Sequence, residues 1–194
     1  IWLLLGSLAL KSGGDDSRFL NRSFLISPDG EIAAHYDKIH MFDVALKNGE
    51  HYRESAQFQP GNRAVIARTP IAHIGMTICY DLRFPVFQRN NNDYDVMINV
   101  ANWPAVRRHI WDTLLMARAM ENLCYVVGVN RVGEDGNGVA HNGGTAVYDF
   151  KGDALTKAQD DAEQLVTITL EKAPLDEFKA AFPAYLDADS FTLI

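Results

Sequence analysis

The segment from residue 75 to residue 85 reads Gly75-Met76-Thr77-Ile78-Cys79-Tyr80-Asp81-Leu82-Arg83-Phe84-Pro85. Its apolar first half predicts a β-strand, and its polar second half predicts a turn that leads into a short helix. Cys79 lies where the strand ends, the position at which α/β proteins expose reactive groups. A helix that begins there would favour the thiolate over the thiol. We therefore treat Cys79 as a candidate nucleophile; the alternative is a small core residue, because free cysteines are often buried.

Apolar strands are predicted on both sides of this segment. They lie at Trp2–Leu10, Phe24–Ser27, Glu31–Tyr36, Ala64–Arg68, Ile71–Cys79, Asp95–Val100, Cys124–Asn130, Thr145–Phe150 and Leu165–Leu170. Helices are predicted at Thr113–Asn122 and Pro174–Phe182, turns at Lys11–Ser17 and Pro28-Asp29-Gly30, and a long loop with some helix at His40–Asn62. Strands interleaved with helices predict an α/β domain with the sheet inside and the helices outside.

Composition and charge narrow the class of protein. Of the 194 residues, 47% are hydrophobic and 22% are charged, which are ordinary globular values and exclude a disordered chain. The net charge is −7, so a nucleic-acid partner held by a basic surface is not expected. The apolar run Trp2–Leu5 is far too short to span a membrane.

Two cysteines make no disulfide framework and no signal peptide is visible, so we expect a cytoplasmic protein, with Cys124 in the core.

Two charged residues are candidates for chemistry beside the cysteine. Lys38 follows the predicted strand Glu31–Tyr36, where its ammonium group can stabilise an oxyanion or lower the pKa of a neighbouring thiol. Glu54 lies in the long loop and could act as a general base or orient other groups. The alternative for each is a solvated surface residue. Asp81 and Arg83 could form an ion pair that braces the turn after the cysteine.

No metal ion or organic cofactor is expected. The six histidines are His35, His40, His51, His73, His109 and His141, and none lies in a motif with a known mechanism. The sequence has no His-x-x-x-His, no Cys-x-x-Cys, no paired acidic ligand cluster and no phosphate-binding Gly-Lys-Ser/Thr loop. A Cys–His thiol hydrolase built on Cys79 remains an alternative, because a histidine commonly activates a catalytic thiol.

Two motifs and a loop resemble the nitrilase superfamily of carbon–nitrogen hydrolases. Tyr36–Asp43 resembles the lysine motif of that family, and Gly75–Pro85 resembles its nucleophile motif. Arg53-Glu54-Ser55, followed by Pro60-Gly61, resembles the loop that carries a second glutamate. The order of these motifs along the chain makes the resemblance specific.

The resemblance runs from about Gly6 to the C-terminus. Ala117–Asn122, followed by the predicted strand Tyr125–Asn130, resembles the helix and strand that come after the nucleophile. Ala101–Pro104 and Phe182–Tyr185 are most similar to the omega-amidase branch, which hydrolyses omega-amides of 2-oxo acids.

This resemblance implies a four-layer α-β-β-α sandwich of the nitrilase type and one carbon–nitrogen hydrolase domain over residues 1–194. It implies that Cys79 is the nucleophile, that Lys38 stabilises the transition state, and that Glu54 positions the substrate and the lysine. The backbone N–H of Tyr80 would share the oxyanion with the lysine. No cofactor is required for this chemistry.

The remaining candidates are expected on the substrate side of the site. Asn102, Trp103 and Arg107 would approach the cysteine region, where either Arg107 or Arg108 could hold a substrate carboxylate. The implied reaction cleaves the carbon–nitrogen bond of a small omega-amide of a dicarboxylic or 2-oxo acid through a cysteine thioester and releases ammonia. The expected partners are this amide and a second copy of the chain in a homodimer. Hydrolysis of nitriles, carbamoyl groups or ureido acids remains open.

The general-base glutamate of the family lies upstream of its lysine, in a segment that this sequence does not contain. Glu31 is the only glutamate before Lys38, and its place in a hairpin argues against that role. We therefore expect a fold that is truncated at the N-terminus. The chain alone would then be nearly inactive, and a non-catalytic fragment is a further alternative.

Overall fold

A three-stranded antiparallel sheet opens the fold. The computed structural model describes residues 1–13, 16–45 and 51–190. The strands β1 (Leu3–Lys11), β2 (Phe19–Ile26) and β3 (Ile32–Asp37) pair in that order. Gly30 has a φ of +84° in the tight turn between β2 and β3, a conformation that glycine adopts without a steric penalty. The predicted hairpin is confirmed.

A second sheet has six strands and carries the candidate nucleophile. Its members are β6 (Val65–Arg68), β7 (His73–Ile78), β8 (Val96–Ala101), β9 (Tyr125–Asn130), β12 (Ala146–Tyr148) and β13 (Ala154–Lys157), in the spatial order β13-β12-β9-β8-β7-β6. The three central strands β7, β8 and β9 are parallel, and the outer pairs are antiparallel. The carboxyl ends of the parallel strands therefore lie along one edge of the sheet.

Two short ribbons, three α-helices and four 3-10 segments complete the described part of the fold. Two-stranded ribbons form between β4 (Asp43–Ala45) and β5 (His51–Arg53), and between β10 (Val132–Glu134) and β11 (Ala140–Asn142). The α-helices are α1 (Pro85–Gln88), α2 (Arg108–Asn122) and α3 (Lys172–Ala181). Segments of 3-10 helix cover Glu54–Ala56, Cys79–Arg83, Ala105–Arg107 and Ala184–Asp187.

The two sheets pack face to face. Leu25 and Tyr36 of the small sheet and Met76, Ile78 and Val100 of the large sheet share one buried cluster. Side chains that alternate along a strand point to opposite faces, so the other face of the large sheet is available for a helix layer. The result is an α/β sandwich, as predicted.

Helix α2 forms the layer on the other face of the large sheet. Trp111, Leu115 and Ala119 of this helix are fully buried against Met97 and Val126. Leu115 and Trp111 lie directly over Gly128 of β9, where any side chain would overlap them. The missing side chain of the glycine thus lets the helix approach the sheet closely.

The small sheet covers one face of the large sheet, and helix α3 packs against one end of that same face. Leu175 of this helix is buried with Val96, Tyr125 and Phe150.

In the small sheet, Leu3, Leu5 and Leu8 of β1 are 41–51% exposed, so no helix layer covers them within the described residues. None of the helices in this part of the chain is both long and apolar enough to cross a membrane.

One predicted strand is wrong. Leu165–Leu170 has the composition of a strand, yet the segment is extended without any backbone hydrogen bond to another described residue. A strand requires a ladder partner as well as β-branched residues. Leu165 is 92% exposed, and only Leu170 at the end of the segment packs against a core cluster.

Two other predictions need adjustment. Helix α2 begins at Arg108, five residues before the predicted Thr113. The predicted loop His40–Asn62 contains the ribbon β4–β5 and the 3-10 turn Glu54–Ala56, and its residues 46–50 lie outside the described part of the chain. Residues 14–15 of the predicted turn Lys11–Ser17 also lie outside it.

Candidate active site

Cys79 occupies a sharp turn between β7 and a 3-10 helix. The strand ends at Ile78, and Cys79 has a φ of +48°. A residue other than glycine adopts this left-handed conformation only where the surroundings hold it. Ile78 and Leu82, on the two sides of the thiol, are buried in separate clusters and anchor the turn. The half-buried thiol is therefore fixed at the carboxyl edge of the parallel strands.

Lys38 and Glu54 form a buried ion pair. The Lys38 ammonium group donates to Oε2 of Glu54 at 2.5 Å, and the two side chains are only 3% and 15% exposed. The same Oε2 accepts the backbone N–H of Phe42 at 2.7 Å, and Oε1 accepts the Asn21 amide at 3.3 Å. Both carboxylate oxygens of Glu54 are therefore occupied. A buried charge needs such partners, because burial without them is costly.

The pKa of Cys79 reflects opposing effects. Burial raises the pKa of the thiol, the Lys38 charge lowers it, the Glu54 charge raises it, and the backbone N–H of Asn102 lowers it. Burial outweighs the lysine, so the pKa lies above its ordinary value. The thiol therefore stays protonated at neutral pH and needs a base to become a nucleophile.

Asp81 joins the lysine strand to the cysteine turn. Its fully buried carboxylate accepts the Tyr36 hydroxyl at 2.7 Å and the Ile78 backbone N–H at 3.0 Å. It also accepts the backbone N–H of His40 at 3.1 Å and lies 2.8 Å from the Nδ1 of that ring. Tyr36 and His40 flank Lys38, so one carboxylate fixes both the lysine and the cysteine segments.

The expected ion pair between Asp81 and Arg83 is wrong. Asp81 points inward, because the turn is a 3-10 helix whose buried side faces β3. Arg83 points the other way, and its guanidinium group lies over the rings of Tyr80 and Trp103 at 5.9 and 5.4 Å. The cation is thus held against aromatic faces, which attract positive charge.

A cavity of about 290 Å³ opens at this edge of the sheet. All seven predicted site residues line it: Cys79, Lys38, Glu54, Tyr80, Asn102, Trp103 and Arg107. Other lining residues include Asn21, Phe42, Tyr52, Arg83, Asp135 and His141. Residues from seven separate stretches of the chain, from Gly6 to His141, therefore meet around one volume that suits a small molecule.

Arg107, and not Arg108, faces this cavity. The Arg107 guanidinium group lies 5.5 Å from the ring centre of Phe42 and 5.9 Å from that of Tyr52. Arg108 instead pairs with Asp112 at 2.9 Å and Asp160 at 2.8 Å, outside the lining. The two neighbouring cations thus have different roles, which the sequence left open.

The ribbon β10–β11 supplies a wall that sequence reasoning missed. Asp135 and His141 of this region line the cavity, although neither was singled out beforehand. The only sequence signal is the turn Gly136-Asn137-Gly138 after the strand Tyr125–Asn130, which marks a hairpin at the active edge of the sheet. Turn chemistry predicts a hairpin, but not the wall that it forms.

A Cys–His arrangement is not seen. His141 is the only histidine of the described residues that lines the cavity, and no hydrogen bond joins it to Cys79. The ring of His40 instead contacts the Asp81 carboxylate, with its Nδ1 at 2.8 Å from Oδ1. Among the described side chains, no group of three or more histidines, cysteines, aspartates or glutamates could hold a metal ion.

The α/β sandwich and the polar cavity at its strand ends define an enzyme of the hydrolase type that the sequence motifs resemble. Residues 1–180 match the family model described as carbon-nitrogen hydrolase, and the chain belongs to that family. The predicted family and the nitrilase-type fold are confirmed.

Individual relatives agree with this assignment. The chain is 41% identical to omega-amidase YafV of Escherichia coli (strain K12) over 191 residues, which cover 98% of this chain and 70% of that protein. It is 34% identical to a 2-oxoglutaramate amidase of Paenarthrobacter nicotinovorans over 189 residues, 96% of this chain and 63% of that protein. The crystal structure of XC1258 from Xanthomonas campestris, a CN-hydrolase superfamily protein, matches with a TM-score of 0.86 and 40% identity. That match covers 97% of this chain and 69% of that one.

Proposed function

We propose that the protein is an omega-amidase, which hydrolyses the terminal amide of a small 2-oxo or dicarboxylic acid to the acid and ammonia. The observation that carries the proposal is the buried Lys38–Glu54 pair in the same cavity as the Cys79 turn. The names of the relatives, omega-amidase and 2-oxoglutaramate amidase, support this substrate class.

The chemistry follows from these groups. The sulfur of Cys79 attacks the amide carbon, and the resulting oxyanion is stabilised by the Lys38 ammonium group and the Tyr80 backbone N–H. A general base takes the thiol proton as the sulfur attacks and returns it to the nitrogen as the carbon–nitrogen bond breaks, so that ammonia leaves and a thioester remains. Water then attacks the thioester and releases the acid. We assign Glu54 to holding Lys38, because both of its oxygens already accept hydrogen bonds.

The charges around the cavity support an acidic substrate. Lys38, Arg83 and Arg107 contribute three positive charges to the lining, and Glu54 and Asp135 contribute two negative ones. Counted over the described residues alone, the lining is positive on balance, whereas the whole chain has a net charge of −7. Such local focusing attracts anions and raises their concentration at the site. We assign the substrate carboxylate to Arg107.

Three further features belong to this proposal. We place the enzyme in the cytoplasm, because two free cysteines without a disulfide are typical of a reducing compartment. We also propose a homodimer, as the resemblance in sequence implies. We also assign residues 1–194 to a single domain, because the two sheets share one core.

An ammonia-release assay tests the proposed function. The complete gene product that carries these residues is expected to release ammonia from 2-oxoglutaramate. Cys79→Ala should abolish turnover, and Lys38→Ala should lower kcat about 100- to 1,000-fold, the usual effect of losing one oxyanion donor.

Matched variants control for unspecific damage. Cys124→Ala makes the same chemical change at the buried thiol beside β9, and Lys11→Ala removes an exposed lysine of β1. Both should retain turnover. Full activity of Cys79→Ala, or no ammonia from the unmodified protein, would contradict the proposal.

A further inference from the structure

His141 is a buried polar side chain that no step of the proposed reaction uses. It lies in the middle of β11 (Ala140–Asn142), lines the cavity and is only 4% exposed. Its Nδ1 is enclosed without a hydrogen-bond partner, and neither ring nitrogen is bonded to another described residue. Buried polar groups are nearly always hydrogen-bonded, so this ring has capacity for a partner that the protein does not supply.

The enclosed Nδ1 indicates which tautomer the ring adopts. A buried N–H without an acceptor is rarer and more costly than a bare acceptor nitrogen. The proton of a neutral ring is therefore expected on Nε2, the nitrogen that a molecule in the cavity can reach. His141 can then donate a hydrogen bond into the cavity.

The position of the ribbon selects the part of the substrate that His141 meets. β10 follows β9, which is two strands away from the cysteine-bearing β7. Adjacent strands are spaced by about 4.8 Å, so the ribbon begins about 10 Å from the nucleophile strand. That is longer than an amide group, which favours contact between His141 and the end of the substrate that is distal to the reacting carbon.

The neighbours of His141 suit an anionic group. β11 packs against the 3-10 helix Ala105–Arg107, which carries the cavity-lining Arg107. Asp135, the acid of the same hairpin, accepts the backbone N–H groups of Asn137 and Val139 at 2.8 and 3.0 Å. These two bonds are the main reason why the pKa of Asp135 is lowered. The Asp135 carboxylate is thus already bonded to backbone N–H groups of its own turn.

We propose that His141 is a specificity-determining residue, which donates a hydrogen bond to the oxygen atoms at the 2-oxo acid end of the substrate. This inference rests on the proposed function and adds the residue that distinguishes an acidic amide from a neutral one.

Two substrates separate this role from a structural one. The complete gene product and its His141→Phe variant are compared on 2-oxoglutaramate and on butanamide, a neutral amide without the acid end. Phenylalanine keeps the ring and removes both nitrogens. We expect kcat/KM for 2-oxoglutaramate to fall about 10- to 100-fold, mainly through KM, as expected for loss of one hydrogen bond to a charged group. The kcat/KM for butanamide should not change.

Further variants keep the test decisive. His141→Gln retains an N–H donor and should restore most of the lost activity on 2-oxoglutaramate. His35→Phe makes the same change on β3, outside the cavity lining, and should leave both substrates unaffected. Thermal unfolding of each variant shows that it is folded.

The possible failures are distinguishable. If the unmodified protein hydrolyses neither amide, both the proposed function and the proposed role of His141 are wrong. If it hydrolyses 2-oxoglutaramate, the proposed function stands. The specificity role is then wrong if His141→Phe leaves kcat/KM for 2-oxoglutaramate unchanged, lowers it through kcat alone, or lowers the values for both amides equally.

Discussion

The Lys38 and Glu54 side chains act on the pKa of Cys79 in opposite directions, and this makes a testable prediction. Lys38→Met removes the charge that lowers the pKa, so alkylation of Cys79 by iodoacetamide at pH 7 should slow down. Glu54→Gln removes a charge that raises the pKa, so alkylation should speed up. Each unit of pKa shift changes the thiolate fraction about tenfold while the thiol is mostly protonated.

Peptide mapping of the labelled protein provides the measurement. Cys124 is an internal control, because full burial raises the pKa of its thiol to about 12. Lys11→Met is the matched surface variant and should alkylate at the unmodified rate. Equal rates in all variants, or preferential labelling of Cys124, would contradict the electrostatic account.

At the residue scale, the sequence predicted which groups meet but not how they are held. Cys79 was found from its place at a strand end, and Lys38 and Glu54 from a resemblance in motif. The role of Asp81 was predicted wrongly, because its direction depends on the 3-10 turn and on Tyr36, 45 residues away. Local patterns carry no information on such a distant partner.

At the scale of elements, helix α2 packs closely on β9 because Gly128 has no side chain. Gly128→Ala places a methyl group against Leu115 and Trp111, which are both fully buried and cannot move outward freely. We expect a loss of about 1–3 kcal/mol in the free energy of unfolding, typical of overpacked cores. Urea unfolding followed by tryptophan fluorescence measures it.

Gly136→Ala is the matched control for this substitution. An added Cβ at Gly136 meets no atom within 4 Å, so the variant should unfold like the unmodified protein. If Gly128→Ala were equally stable, the close contact between helix and strand would not be required.

Element prediction succeeded where burial and periodicity coincide. The parallel strands β7, β8 and β9 are buried, and their apolar runs predicted them closely. It failed at Leu165–Leu170, whose composition is that of a strand but which has no ladder partner among the described residues. Pairing is a property of two segments, so one segment alone cannot specify it.

At the scale of the whole molecule, the dependence of stability on pH should include Asp95. Burial raises the pKa of this carboxyl, but the His73 amide at 3.0 Å and the ammonium groups of Lys172 and Lys179 outweigh it, so the pKa is lowered. A lowered pKa in the folded state contributes stability above the pKa of the unfolded chain. That contribution is lost as the pH falls through the folded value.

The Asp95→Asn variant tests this contribution. We expect it to be about 1 kcal/mol less stable than the unmodified protein at pH 7, because it loses charge-assisted contacts with α3. The difference should shrink at pH 3. Urea unfolding at both pH values measures it, and Asp29→Asn in the exposed hairpin turn is the control. A difference that does not depend on pH would contradict the role of the charge.

The bond from Tyr36 to Asp81 also determines when the site forms during folding. It closes a chain loop between residues 45 positions apart, and it joins a strand of the small sheet to the turn after a strand of the large sheet. Such a non-local contact costs loop entropy before the contact is gained. A chain in which only one sheet has formed therefore carries a cysteine without its lysine. Catalytic competence therefore requires that the two sheets have docked.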